Sequence, residues 1–211
     1  MFRGCRALLL AVALTMAACA VARAETPGAE GDVLARLRGK AATVRSISSN
    51  FVQEKHLSVF DNTLISTGRF MYGMPDRLRW EYLAPITDGF VLNGRTGIRW
   101  EGATGTRREF LLNSDPVMST VATQLLAWAA FDLSKLESEY RIEVVRQSPT
   151  TLQLTPKSEV ARQVISRLVI EFTPTEDAVR MVELQQEGGD YTRICFEGTV
   201  VNGPLADNLF R

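Results

Sequence analysis

The sequence is poor in the residues from which most enzyme active sites are built. It has one histidine, His56, and three cysteines among 211 residues. A Ser-His-Asp or Cys-His arrangement would have to use His56, and neither a Gly-x-Ser-x-Gly turn nor a His-Glu-x-x-His helix is present. A polar position on an outward strand face explains His56 more simply. We therefore expect no enzyme, no cofactor and no metal site.

Long apolar stretches are also missing, apart from one near the N-terminus. Two arginines precede an apolar run from Ala7 to Ala18, about a dozen residues, whereas a membrane-spanning helix needs roughly 20. Small residues ending at Ala24 follow this run, before Glu25. The pattern is typical of a secretory signal peptide, so we expect residues 1–24 to be removed between Ala24 and Glu25 and the protein to be exported to the periplasm.

Cys19 leaves two alternatives open. Residues 16–19 loosely resemble the motif at which lipoprotein precursors are cleaved and acylated, and cleavage there would leave a lipid anchor on Cys19. An uncleaved leader would be a second kind of anchor. If cleavage follows Ala24 instead, Cys195 is the one cysteine of the mature chain, which excludes an intramolecular disulfide.

The charge balance excludes another class of protein. The formal net charge is zero, and the leader carries three arginines and no acid, so the mature chain has a net charge of about −3. No block of basic residues stands out, and the charge pattern of a nucleic-acid binder is missing. Residues 25–211 have the length of a single domain.

Hydrophobic periodicity predicts a β-rich fold with few helices. Apolar residues at three- to four-residue spacing indicate an amphipathic helix over 32–45 and a second over 116–128. From Ile47 onward the period changes to two, which is typical of strands, and short turns such as 73–76 separate the strands. Beyond the second helix and a brief 131–138 segment, strands are predicted over 140–147, 151–155, 164–172, 179–187 and 191–200. We expect about eleven strands in one curved antiparallel sheet with the helices over its concave face; a two-sheet sandwich is the alternative.

A succession of short motifs carries a family resemblance. In the first half of the mature chain these are Phe51-x-Gln53-x-Lys55, Ser66-x-Gly68-x-Phe70, Pro75, Arg79-Trp80-x-Tyr82, Pro85 and the Asn93-Gly94 turn before Trp100. In the second half they are 154–157, the strand 165–172 and Thr192-x-Ile194-x-Phe196. Their order and spacing resemble LolA-type outer-membrane lipoprotein carriers over essentially the whole mature chain.

The resemblance implies a fold and a function. LolA-type carriers have an incomplete β-barrel with a helical lid, and the cavity between them receives the acyl chains of a lipoprotein. They act as periplasmic chaperones in outer-membrane biogenesis, moving lipoproteins from an inner-membrane lipoprotein-releasing complex to an outer-membrane acceptor. By this resemblance the chain is a monomeric carrier capped by two or three short helices.

The candidate binding residues are the apolar positions expected on the concave face and the lid. An acyl chain offers no hydrogen bonds, so its site must present apolar surface. From the sheet these are Phe70, Tyr72, Leu78, Trp80, Tyr82, Phe90, Leu92 and Trp100, and from the lid Met118, Val121, Leu125 and Trp128. Each of them would be an ordinary core residue if no cavity existed.

One position departs from the family pattern. LolA-type carriers commonly have a basic residue directly before the proline equated with Pro75, and its contacts to the lid help to hold and release cargo. Met74 occupies that position here. Arg77 or Arg79 would be candidates for such a gating role, although alternation with Leu78 and Trp80 favours a solvated strand face for both.

Two further functions stay open at this stage. A lipid anchor at Cys19 would favour a membrane-anchored receptor or sensor with the same half-barrel, because a shuttle cannot remain tethered to one membrane. A hydrolase of an envelope lipid or glycan would need a carboxylate pair, for which Glu81, Asp88, Glu101 and Glu109 are candidates. Neighbouring arginines indicate cross-strand charge pairs for these carboxylates instead.

Overall fold

The structure is a computed structural model that describes residues 27–60, 62–129 and 131–211. The predicted leader, its cleavage between Ala24 and Glu25, and Cys19 lie outside the described residues. The described α-helices are α1 (Pro27–Ala41), α2 (Pro116–Ala129), α3 (Leu133–Glu139) and the single turn α4 (Glu159–Arg162), and 3-10 helices span Glu187–Gly189 and Asp207–Phe210. The strands are β1 (Ser46–His56), β2 (Leu64–Gly73), β3 (Arg77–Ala84), β4 (Gly89–Asn93), β5 (Thr96–Glu101), β6 (Thr106–Leu111), β7 (Tyr140–Gln147), β8 (Thr150–Pro156), β9 (Arg167–Phe172), β10 (Val179–Gln185) and β11 (Tyr191–Val201).

The eleven strands form one antiparallel sheet that does not close. Its order is β6-β5-β4-β3-β2-β1-β11-β10-β9-β8-β7. Successive hairpins build β1 to β6 and β7 to β11, and the pairing of β1 with β11 joins the two halves. The predicted single sheet is confirmed, and within the described residues the sandwich alternative is wrong.

Several element boundaries differ from the prediction. The first helix occupies Pro27–Ala41 rather than 32–45, because the chain turns after Ala41 and the Asn202 side chain accepts the backbone N–H of Arg45 at 2.6 Å, next to the start of β1. Strand β9 starts at Arg167 rather than Val164. Residues 164 and 165 instead continue the turn of α4, since both of their N–H groups donate to the Ala161 carbonyl.

The core consists of two clusters on one face of the sheet, here called the inner face. One lies under α1 and α3 against β7 to β10, and it includes Leu37, Leu136 and Leu168. The other lies between α2 and β1 to β4, with Phe110 of β6, and it includes Phe51, Leu78 and Leu92. Leu125 and Phe196 contact both clusters. Helix α2 therefore packs where the two halves of the sheet meet.

An ion pair attaches α1 to the second half of the sheet. The Arg36 guanidinium donates to Glu176 in the turn between β9 and β10, with 2.6 Å between Nε and Oε2, and the Thr150 hydroxyl donates to the same carboxylate. The hydrogen bond from Arg36 lowers the pKa of Glu176 below its ordinary value. The carboxylate is therefore charged at neutral pH, and its pair with Arg36 holds α1 in place.

Candidate binding cavity

An aromatic wall covers the middle of the inner face. The rings of Phe51 and Trp80 stack with their centroids 4.3 Å apart, and Tyr82 meets Phe51 edge-on at 5.4 Å. Phe51 lies flat on the sheet because Gly68 faces it across the β1–β2 pair: a Cβ at residue 68 would be 2.2 Å from Phe51 Cζ. The glycine of the Ser-x-Gly-x-Phe motif therefore makes room for the wall.

Helix α2 lies over this wall as a lid. Asp115 caps its start, since its carboxylate accepts the Met118 N–H at 3.0 Å, and Pro116 occupies the first helical position. The second carboxylate oxygen lies 3.3 Å from Arg99 Nη1 on β5, which ties the lid to the sheet. The inward positions are Met118, Ala122, Leu125 and Trp128, whereas Val117 is 67% exposed.

A cavity of about 420 Å³ lies between the lid and the sheet. Of the predicted binding residues, Trp80, Tyr82, Phe90, Trp100, Met118, Val121, Leu125 and Trp128 line it. Phe70 lines a smaller void of about 20 Å³ together with Leu125, Trp128 and Phe196. Tyr72, Leu78 and Leu92 line neither space and are buried in the core cluster under α2.

Trp100 borders the cavity from the other face of the sheet. Phe90 pairs with Trp80 and with Arg99, whereas Trp100 pairs with Gly89. Paired residues share a face, so Arg99 points to the side of Phe90 and Trp100 to the opposite side. The prediction that Trp100 lies on the concave face is wrong, and its ring covers Gly89, where a Cβ would be 2.5 Å from Trp100 Cζ2.

Polar side chains border one part of the cavity. Gln53, Asp88 and Arg99 contribute to the lining, and the Tyr82 hydroxyl donates to Gln53 Oε1 at 2.9 Å. Burial raises the pKa of Tyr82, so its phenol stays protonated at neutral pH. Sequence reasoning named Asp88 only as a candidate carboxylate of a hydrolase. It missed Gln53, Arg99 and Ile194 as binding residues, because it searched for apolar side chains along β2 to β5 and on the lid. The pairing register of β4 with β5 could have identified Arg99 as an inner-face residue, because Arg99 lies opposite Phe90.

The arrangement can be compared with known proteins. A family model described as outer membrane lipoprotein carrier protein LolA matches residues 42–211. The chain belongs to the LolA family. The predicted resemblance is thus confirmed, and the open eleven-stranded sheet with its few short helices is the LolA-like fold.

Solved structures with the LolA-like fold come from several bacterial proteins. A MucA/MucB complex from Pseudomonas aeruginosa matches with 20% identity and a TM-score of 0.52, over 85% of this chain and 59% of that one. A structure of MucB matches with 20% identity and a TM-score of 0.55, over 87% and 62%. An uncharacterized conserved protein from Thermus thermophilus matches with 11% identity and a TM-score of 0.53, over 86% and 92%. This LolA-family chain therefore spans about three fifths of the MucB chains, and likenesses at such low identity show the fold alone. A search of curated protein sequences finds no match.

The two arginines considered for gating contact the C-terminus of this LolA-family chain. Arg77 pairs with Asp207 at 2.9 Å and its guanidinium lies 5.0 Å from the centre of the Phe210 ring. Arg79 donates to the Leu209 carbonyl at 3.1 Å. Neither arginine lines the cavity, so the geometry gives no support to a gating role. Both hold the C-terminal 3-10 helix, Asp207–Phe210, against the sheet.

A basic group also lies beside Met74, the position where the LolA family commonly has a basic residue. Arg45, between α1 and β1, places its Nη1 atom 2.9 Å from Met74 Sδ. Met74 itself is 45% exposed. The positive charge near this proline is thus supplied by another segment of the chain.

Three residues considered for catalysis, Asp88, Glu81 and His56, make other contacts. Among the four candidate carboxylates Asp88 lines the cavity, and it accepts the Gly102 N–H at 2.9 Å. Burial raises the pKa of Glu81, but hydrogen bonds and charge from Arg79 and Arg69 outweigh burial and lower it overall. His56 stacks on the Tyr191 ring with 5.2 Å between centroids. The described residues include no group of acidic, histidine and cysteine side chains placed to hold a metal ion.

Among the helices described within residues 27–60, 62–129 and 131–211, none combines the length and the apolar character that crossing a bilayer requires.

Proposed function

We propose that this LolA-family protein is a carrier that shelters the acyl chains of a lipoprotein, or of a related lipid, between α2 and the inner face of the sheet. The observation that carries the proposal is the cavity of about 420 Å³ bounded by Leu125 and Met118 on one side and by Trp80 and Phe90 on the other. Its size falls in the range of roughly 300–1,000 Å³ of small-molecule pockets.

The lining has the chemistry that an acyl chain requires. Transfer of each CH₂ group from water to an apolar site contributes about 0.8 kcal/mol, and the chain makes no hydrogen bonds in return. The side chains of Met118, Leu125 and Phe90 can supply such contacts without an unpaired polar group. The rim with Gln53, Asp88 and Arg99 suits the polar end of the same molecule.

The carrier acts in the periplasm and moves its cargo from the inner to the outer membrane. Support comes from membership of a family described as outer membrane lipoprotein carriers and from the signal-peptide pattern of residues 1–24, with cleavage expected after Ala24. Loading by an inner-membrane lipoprotein-releasing complex and release to an outer-membrane acceptor follow from that role. A monomer suffices for this role, because a single chain supplies both the sheet and the lid.

Mass spectrometry of the protein purified from its native periplasm tests the proposal. It is run on the intact protein and again on an organic extract. We expect a mature N-terminus at Glu25 and co-purified acyl-bearing material. Repeated isolation of an empty Glu25 form would contradict the carrier role.

A membrane-anchored receptor is the second candidate function. It rests on the likeness of residues 16–19 to the motif at which lipoprotein precursors are cleaved and acylated. MucB, a protein of similar fold, was crystallised in complex with MucA. In the same mass measurement this function requires a diacylglyceryl group on Cys19. Detection of that group would replace the carrier with a tethered receptor that binds its ligand in the same cavity.

A further inference from the structure

Trp128 carries an unusual polar atom for a residue of an apolar lid. Its side chain is 8% exposed and packs between the cavity and the smaller void, both of which it lines. The indole Nε1–H is fully buried and has no hydrogen-bond acceptor among the described residues. It stands out because no other buried side-chain nitrogen or oxygen in the described part of the chain lacks a partner.

The surroundings of Trp128 explain why no protein group satisfies it. The small void beside the indole is bounded mainly by carbon, from residues such as Ile47, Phe70 and Phe196. The two hydroxyl groups at its border, Ser49 and Thr199, are hydrogen-bonded to each other at 2.9 Å. The Ser49 hydroxyl also lies within hydrogen-bond distance of the Asn50 and Glu197 carbonyls, at 2.9 and 3.0 Å, so it is held by other partners.

An unpaired donor in this position is costly for the empty protein. A buried N–H without an acceptor destabilises the folded state by about 1–3 kcal/mol, and nearly all buried donors in proteins are paired. Phenylalanine would fill much of the same volume without that cost. The nitrogen has almost no accessible surface in the empty protein, so an acceptor reaches it only when bound cargo displaces the side chains around it. A ligand that brings a carbonyl to this point regains the lost hydrogen bond, and a ligand made of hydrocarbon alone does not.

We propose that the Trp128 Nε1–H donates to a carbonyl oxygen of the cargo, at the ester or amide that joins an acyl chain to its head. This inference rests on the proposed carrier function and specifies its ligand class. The cavity selects acylated molecules, in which a carbonyl follows directly on the hydrocarbon. Ether-linked or plain alkyl chains of the same length fill the apolar lining but leave the indole unpaired.

A pair of matched probes tests the selection. 1-Dodecanoylglycerol and 1-O-dodecylglycerol have the same chain length and head group and differ in the carbonyl. Their dissociation constants are measured by titration calorimetry with the wild-type protein and with Trp128→Phe, which keeps an aromatic ring and removes the donor. We expect the wild type to bind the ester about tenfold more tightly than the ether, and Trp128→Phe to bind both within about threefold of each other.

The outcomes separate this inference from the carrier function. If wild type and Trp128→Phe show the same preference for the ester, or if neither shows one, the role of Trp128 is wrong while acyl binding stands. If the wild type binds neither probe, the carrier function fails and the inference fails with it.

A measurement on the unaltered protein covers the case in which the variant does not fold. The three tryptophans give separate indole N–H signals in a ¹H–¹⁵N spectrum of the wild type. Formation of a hydrogen bond by Nε1–H should move the Trp128 proton signal downfield with the ester and not with the ether. Equal displacement by both probes overturns the inference.

Discussion

Replacement of Leu125 by glutamate is expected to abolish acyl binding. Leu125 lines both the cavity and the smaller void, and it contacts both core clusters. The one cation in the lining, Arg99, already pairs with Asp115, and an acyl chain laid against the new carboxylate would remove its water. Burial of an unpaired charge costs several kcal/mol, so the dissociation constant for 1-dodecanoylglycerol should rise by about 100-fold or more.

Val117→Glu is the matched control for Leu125→Glu. It places the same charge on the same helix at a side chain that is 67% exposed and does not line the cavity. The control should bind within about twofold of the wild type. Far-UV circular dichroism of both variants should match the wild type. If a folded Leu125→Glu variant binds 1-dodecanoylglycerol as tightly as the wild type does, α2 is not part of the binding site.

Replacement of Leu92 by alanine should affect folding rather than binding. Leu92 is fully buried, pairs with Leu78 across β3 and β4, and lines neither the cavity nor the smaller void. Large-to-small substitutions at such positions cost about 2–5 kcal/mol, so the free energy of unfolding in a denaturant titration should fall by that amount.

Leu64→Ala makes the same chemical change at a side chain that is 57% exposed. Its free energy of unfolding should stay within about 0.5 kcal/mol of the wild-type value. At a temperature where Leu92→Ala is folded, its affinity for 1-dodecanoylglycerol should equal that of the wild type. If Leu92→Ala instead loses affinity while its stability is unchanged, Leu92 belongs to the binding site, as the sequence predicted.

The strands could be predicted from sequence because their signals are local. Alternation in Phe70 to Tyr72 and in Leu78 to Tyr82, with short turns between them, is enough to place consecutive hairpins. The pairing of β1 with β11 has no such signal, because its partners are about 140 residues apart along the chain and nothing in either strand identifies the other. The resemblance to LolA-type carriers supplied the open barrel that this pairing creates.

The binding residues were harder to predict, for two physical reasons. Hydrophobicity alone placed Trp100 on the concave face, whereas the register of β4 and β5 places the charged Arg99 there. Hydrophobicity also cannot separate core from cavity: Leu92 and Phe90 share the inner face, yet Leu92 is enclosed by its neighbours while Phe90 borders open space. That difference depends on where α2 crosses the sheet, and the local sequence pattern of a strand does not predict this position.

Photo-crosslinking with a diazirine-labelled fatty acyl probe tests most directly whether the chain lies between α2 and the sheet. After labelling and trypsin digestion, the account predicts modification of two peptides: 80–95, which carries the inner-face aromatics of β3 and β4, and 109–135, which carries the lid. An excess of unlabelled 1-dodecanoylglycerol should abolish this modification. Peptide 56–69 is the internal control, because it carries Val59 and Phe60, which are 81% and 59% exposed and would attract a probe that merely adheres to apolar surface. Label concentrated in 56–69, or label that unlabelled ligand does not displace, would contradict the account.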